Sequence, residues 1–186
     1  MDFIWNEHRN LRGKHSFLSP SGYHWINYDR QKLRNSYLNA QKKEEGTQLH
    51  ALASELIERR IKVAKLKRTF NIFVNDSIAY GMESEMPLYY SEFCFGTADT
   101  ISYKDGTLRI FDLKTGDTKA SFMQLDIYAA LFCLEYELHP DNIIFIERIY
   151  QHNEYTENHP DPSYILEIMG RIVERDEWLT ELLTEL

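Results

Sequence analysis

The chain has 186 residues, a net charge of −8, 43% hydrophobic and 13% aromatic residues: enough apolar material for one folded domain, and too much for a disordered chain. No apolar run approaches the ~18–20 residues of a membrane span, and the opening Met-Asp-Phe-Ile-Trp-Asn-Glu-His does not read as a secretion signal. Two cysteines, Cys94 and Cys133, are too few for the thiolates of an iron–sulfur cluster; they read as buried free thiols of a reducing compartment, so a soluble cytoplasmic protein is expected.

In chain order, residues 1–28 are aromatic and turn-rich and predict an irregular arm. Residues 29–43 predict a polar helix. Gly46 then separates it from a stronger helix running to about Lys67, with Leu49, Ala53, Leu56, Ile57, Arg60 and Ala64 on its stripe. A further helix over 71–81 ends at Gly81. Residues 87–95 are β-rich and predict one strand. A hairpin lies within 97–114, and Gly116 ends its second strand. A helix over 119–138 stops at His139-Pro140. The nearly continuous apolar run 142–150 predicts an interior strand. The polar stretch 151–160 predicts a loop, and a closing helix carries Ile165, Ile168, Met169, Ile172, Leu179, Leu182 and Leu183 on one stripe. This order predicts an α/β (α+β) fold: a central mixed sheet with an antiparallel hairpin core, flanked by helices. It reads as a single domain, with an arm and helix over 1–45, a core over 46–150, and a loop and helix over 151–186.

The hairpin carries the chemistry. Asp105-Gly106 matches a type I′ turn, in which both residues need φ > 0. That turn sets Lys104 opposite Thr107, Tyr103 opposite Leu108, Ile101 opposite Ile110, and Asp99 opposite Asp112. Like charges so placed repel. Lys114, two residues beyond Asp112, points to the same side as Ile101, Tyr103, Leu108 and Ile110. Two acids and a lysine ending an apolar face suit a divalent-metal site; a register slip of one residue would instead separate the acids into solvent.

Three further features carry two readings each. His50 lies beside the apolar stripe of its helix and is either a core residue or a metal ligand; Glu55, five residues on, falls off that face. Gln124 and Tyr128, spaced i, i+4, form either an ordinary half-buried pair or a hold on a lysine, phosphate or base edge. Residues 59–68 carry six cations and no anion, with Arg9, Arg12 and Lys14 upstream. They read as a solvated helix face or as phosphate contacts.

Taken together, G-T-x-x-H at 46–50, G-T-A-D at 96–99, D-L-K-T-G at 112–116 and Q-x-x-x-Y at 124–128 resemble, in order and spacing, the PD-(D/E)XK nuclease superfamily, in its RecB-like branch with the phage recombination exonucleases. The resemblance covers about residues 46–150. The Ser-Pro-Ser-Gly-Tyr-His-Trp stretch of the arm is similar to phage members of that branch.

The resemblance implies a restriction-endonuclease-like fold and a DNA exonuclease of phage-type recombination or repair, dependent on one or two Mg²⁺ or Mn²⁺ ions. It implies Asp99, Asp112, His50 and the backbone carbonyl of Leu113 as metal ligands, and Lys114 as the group that orients or activates water. Gln124 and Tyr128 become support or DNA contacts. It further implies DNA, a single-strand annealing or other recombination protein, and further copies of the chain in a homo-oligomer as partners, and no membrane. The place is the cytoplasm, the host's if phage-encoded. A nuclease-like DNA-binding or scaffold subunit without catalysis is the alternative. Two positions depart from the pattern: Ser54 stands where an acid follows the histidine by four, and Ala98 where proline precedes the first aspartate.

Overall fold

In the computed structural model, which describes residues 16–18, 20–117 and 120–185, the two helices expected on either side of Gly46 are one. Helix α1 runs over Arg30–Glu58. Asp29 opens it, its Oδ1 accepting a hydrogen bond from the Lys32 N–H at 2.7 Å, the bond of an N-terminal cap. Gly46 is helical and buried, and a Cβ there would stand 2.8 Å from Thr115 Oγ1, so close approach rather than chain breaking explains this glycine. The chain divides into two units, Met1–Glu45 and Gly46–Leu186. In the first, Pro20–Asn27 winds as 3-10 helix; most of the expected arm, including Arg9, Arg12 and Lys14, lies outside the described residues.

All five strands belong to the second unit. After α1 come α2 (Thr69–Ala79), β1 (Glu83–Ser91), β2 (Cys94–Lys104), β3 (Thr107–Leu113), α3 (Met123–Glu135), β4 (Ile144–Gln151), β5 (Glu154–Asn158) and α4 (Pro162–Glu185). The strands form one sheet in the order β1-β2-β3-β4-β5, antiparallel except for the β3–β4 pair, which α3 connects in parallel. The expected α/β class with a mixed, helix-flanked sheet is the one observed. One face packs Leu88, Ile101, Leu108, Ile110, Phe145 and Ile149 against α3 and the first turns of α4. The other packs Phe111, Leu113 and Tyr150 against Ala53 and Ile57 of α1 and Phe73 and Val74 of α2.

Helix ends account for several departures from expectation. Helix α1 stops at Glu58, not near Lys67, and 59–68 is irregular chain. Arg60 adopts φ 55°, with Arg60 N–H bonded to the Ile57 carbonyl and Ile61 N–H to that of Leu56, the paired bonds of a Schellman close. Its guanidinium donates to the Met82 carbonyl at 2.9 Å and holds that turn. The same pair of bonds ends α2 at Gly81 (φ 66°) and α3 at Glu137 (φ 53°). Only Gly81 announces itself in the sequence; Arg60 and Glu137 take the left-handed position without glycine's freedom.

Two strand expectations are also corrected. Residues 87–95 are not one strand but the meeting of β1 and β2, which turn over Glu92-Phe93, where Ser91 Oγ accepts from the N–H groups of Phe93 and Cys94. Residues 154–158, expected in a loop, form β5 behind a tight turn at His152 (φ 53°) and Asn153 (φ 65°). Strand β5 carries almost no apolar burial; polar bonds hold it. Arg148 Nε donates to Glu157 at 2.6 Å while its guanidinium lies 4.4 Å from the Tyr155 ring, and Asn158 donates to Glu147 at 2.9 Å. In α4 the predicted stripe is buried at Ile165, Ile168 and Ile172, whereas Leu179, Leu182 and Leu183 are exposed. No helix among the described residues is long and apolar enough to cross a membrane.

Candidate metal centre

The Asp105-Gly106 turn forms as its residues predict, with φ 52° and 73°. The β2–β3 ladder then runs Lys104–Thr107, Tyr103–Leu108, Ile101–Ile110 and Thr100–Phe111, so the next position in register sets Asp99 opposite Asp112. There the ladder gives way to a side chain: Asp99 Oδ2 accepts the Leu113 N–H at 2.8 Å. The Leu113 side chain is buried in the core and its amide orients Asp99.

Helix α1 and strand β1 each bring a side chain to Asp99. His50, from α1, places Nδ1 3.3 Å from Asp99 Oδ2. Glu85, on β1, occupies the position opposite Asp99 in the register that pairs Ser84 with Thr100 and Met86 with Ala98. Ligand atoms of His50, Glu85 and Asp99 all lie within 4.8 Å of one another. Glu85 is absent from the sequence-based site. Its signal is the β1–β2 register, which stays hidden when 87–95 is read as a single strand. Its backbone sits at φ 48°, a costly conformation for a residue with a side chain, of the kind that persists where the surroundings enforce it. Glu55 lines the same groove as His50 and Glu85 but pairs with Arg59 at 3.0 Å, outside the cluster. Ser54, which stands where the resembled pattern carries an acid, shares a 3.0 Å hydrogen bond with Ser84.

Asp112 lies deeper, its side chain 5% exposed. Lys114 Nζ donates to its Oδ1 at 2.9 Å and stands 2.9 Å from its Oδ2, so the ammonium pairs with both oxygens of the buried carboxylate. Lys114 also donates to Gln124 Oε1 at 2.9 Å. The Gln124 amide reaches the Tyr128 hydroxyl at 3.5 Å, and that hydroxyl donates to the Thr97 carbonyl at 2.6 Å. Gln124 therefore holds the lysine, and Tyr128 holds Gln124. Gly96 makes room for this: a Cβ there would come within 3.0 Å of the Tyr128 ring.

The charges are out of balance in the direction a cation would correct. A hydrogen bond to Asp99 raises the His50 pKa against the opposing effect of burial, and the charges of Asp99, Asp112 and Glu85 raise it further. Burial, then Asp99, pushes the Glu85 carboxyl up. Burial, then Asp99, also raises Asp112, with Lys114 opposing. Carboxylates that resist ionising beside a neighbouring carboxylate are stabilised by divalent charge among them. Two carboxylates and an imidazole suit Mn²⁺ and related ions.

No family model matches the chain, and no curated protein or solved structure matches it.

Proposed function

We propose that the chain is a Mg²⁺- or Mn²⁺-dependent deoxyribonuclease, an exonuclease of phage-type recombination or repair. The observation that carries this reading is the convergence of His50, Glu85 and Asp99 beside a buried Asp112–Lys114 pair. The order and spacing of the four motifs, with their resemblance to PD-(D/E)XK nucleases, support the same assignment.

The reaction replaces the P–O3′ bond of a phosphodiester by a bond to a water oxygen; a proton of that water passes to solvent and the departing 3′ oxygen takes one up. A divalent ion held at the site supplies charge neutralisation for the phosphate and acidifies a bound water. His50, Glu85 and Asp99 would hold it, with the buried Asp112, paired to Lys114, beside them. Lys114 is fixed from two sides, by Asp112 and Gln124, and is still about a third exposed, so one N–H direction remains for a water or a phosphate oxygen. The Gln124–Tyr128–Thr97 chain keeps its head group from swinging away.

The test uses end-labelled linear duplex, single-stranded and covalently closed circular DNA with Mg²⁺, Mn²⁺ or EDTA. Metal-dependent loss of linear DNA, absent in Lys114→Ala and in Asp112→Ala, is the expected result. Cleavage of closed circles would make the enzyme an endonuclease. Full activity in either folded variant, or none from the wild type with any metal, would refute the reading; the latter would leave a DNA-binding subunit.

A further inference from the structure

The metal centre makes no use of the basic run, and the structure puts that run where it can act. Leaving α1 at Glu58, the chain passes through irregular residues into α2. At its end, Lys67 and Arg68 line a cavity of 520 Å³ together with Lys114, Leu49 and Phe70. Lys114 thus serves both the metal centre and this cavity. Leu49 faces the cavity, while His50, the next residue, faces the acidic groove of Glu55, Glu58 and Glu85. Lys62 and Lys65 line a second groove that shares Lys67.

Among the described residues, Lys62, Lys65, Lys67 and Arg68 form no ion pair, although acids outnumber bases by 29 to 21. Arg68 immediately precedes α2, and its guanidinium, which as a donor cannot cap the helix N–H groups, has no hydrogen-bond or ion-pair partner among the described residues. Asp117 is the acid in the lining. Phe70 and Leu49 supply apolar surface in the same lining. The volume falls within the ~300–1,000 Å³ of small-ligand sites, enough for one nucleotide and too little for a base pair with its backbones.

We propose that this cavity binds one nucleotide of a single DNA strand, its phosphate on Lys67 and Arg68 and its base against Phe70 and Leu49, next to the phosphate presented to Lys114. Lys62 and Lys65 follow the continuing backbone. The inference rests on the nuclease reading for the identity of the strand, and it adds a substrate form to it: DNA enters unpaired, as a single strand or a frayed end. Cations that track a backbone beside a stacking wall are the general design of single-strand sites.

The test is fluorescence anisotropy of a labelled single-stranded oligonucleotide in EDTA, where cleavage is silent. It compares wild type, Lys67→Ala/Arg68→Ala, each single variant, and Lys104→Ala at the hairpin tip as control, all checked for folding by circular dichroism. The double variant is expected to bind about 10-fold more weakly or worse, with a salt dependence shallower by about two phosphate contacts, and the control to bind as wild type. Deoxyadenosine monophosphate should compete on the wild type and less so on the double variant. Unchanged affinity and salt slope in the folded variants, tighter binding to blunt duplex than to single strand, or no binding by the wild type would each overturn the proposal. Cleavage by the same preparations is scored separately with Mn²⁺. Binding lost in the variant with no cleavage by the wild type keeps the subsite and removes the nuclease; cleavage by the wild type with unchanged binding in the variant does the reverse.

Discussion

Glu85 shows how a site can be stored in one backbone conformation. It holds φ 48° at the position opposite Asp99, and its carboxylate lies within ligand distance of Asp99 and His50. The Glu85→Gln variant keeps shape and hydrogen bonding but loses the charge. It should melt with the wild type and bind Mn²⁺ more weakly by about 10-fold or more, since even outer partners of metal ligands are worth that much. Calorimetric titration with Mn²⁺ reads this directly; unchanged affinity would remove Glu85 from the ligand set. Asp112 makes the complementary case. Burial and Asp99 both oppose its charge, so Asp112→Asn should melt at or above the wild-type temperature while cleavage falls to background. A marked drop in melting temperature would mean that Asp112 is a structural residue.

Between elements, glycines and helix ends set how closely the parts approach. Gly46 lets α1 lie against Thr115, just past Lys114 and the strand that carries Asp112, and so brings His50 to Asp99. Gly46→Ala should destabilise the domain, because the added Cβ would meet Thr115 Oγ1 at 2.8 Å. Thr115→Ala removes that oxygen, and the double variant should recover the loss and gain up to about 1 kcal/mol from alanine's helix preference. Thermal melts of the four proteins test this. Additive, uncoupled effects would show that the contact does not govern helix placement.

On the scale of the whole molecule, the interior holds an acid that does not belong to the metal centre. Glu147 of β4, 1% exposed, lies among the apolar residues beneath α3 with Asp126, and burial pushes its carboxyl to about 8 from an ordinary 4.5. The folded protein therefore keeps a proton that the unfolded chain releases above pH 4.5. Stability from this group is complete below pH 4.5 and is lost as pH rises through about 8. Glu147→Gln can still accept from Asn158 and donate toward Asp126. Its melting temperature should fall less between pH 5 and pH 9 than that of the wild type, and should exceed it at pH 9 by a few degrees, the size of about 1 kcal/mol in such a domain. Parallel pH profiles would show that the pair does not titrate in this range.

Local chemistry made several parts of this molecule legible from the sequence. The Asp105-Gly106 pair determined the β2–β3 register, because few residues tolerate two successive positive φ angles, and the register then placed Asp99 opposite Asp112 and aimed Lys114 beside them. Gly81 marked the end of α2, and the apolar runs marked β4 and the buried half of α4. The spacing of Gln124 and Tyr128 put both on one face of α3. Tertiary structure decided the rest. Gly46 lies inside a helix, where Thr115 Oγ1 fills the space a side chain would need. Arg60 and Glu137 end helices in a conformation that neighbouring bonds enforce and no residue preference announces. Strand β5 pairs through polar contacts of Arg148 and Asn158 across its hairpin with β4, so no apolar alternation marks it. Glu85 joins the site through a register set by the β1–β2 turn. Local backbone preferences act within a few residues and can be read in order; close approach and cross-strand pairing depend on what the remainder of the chain brings alongside.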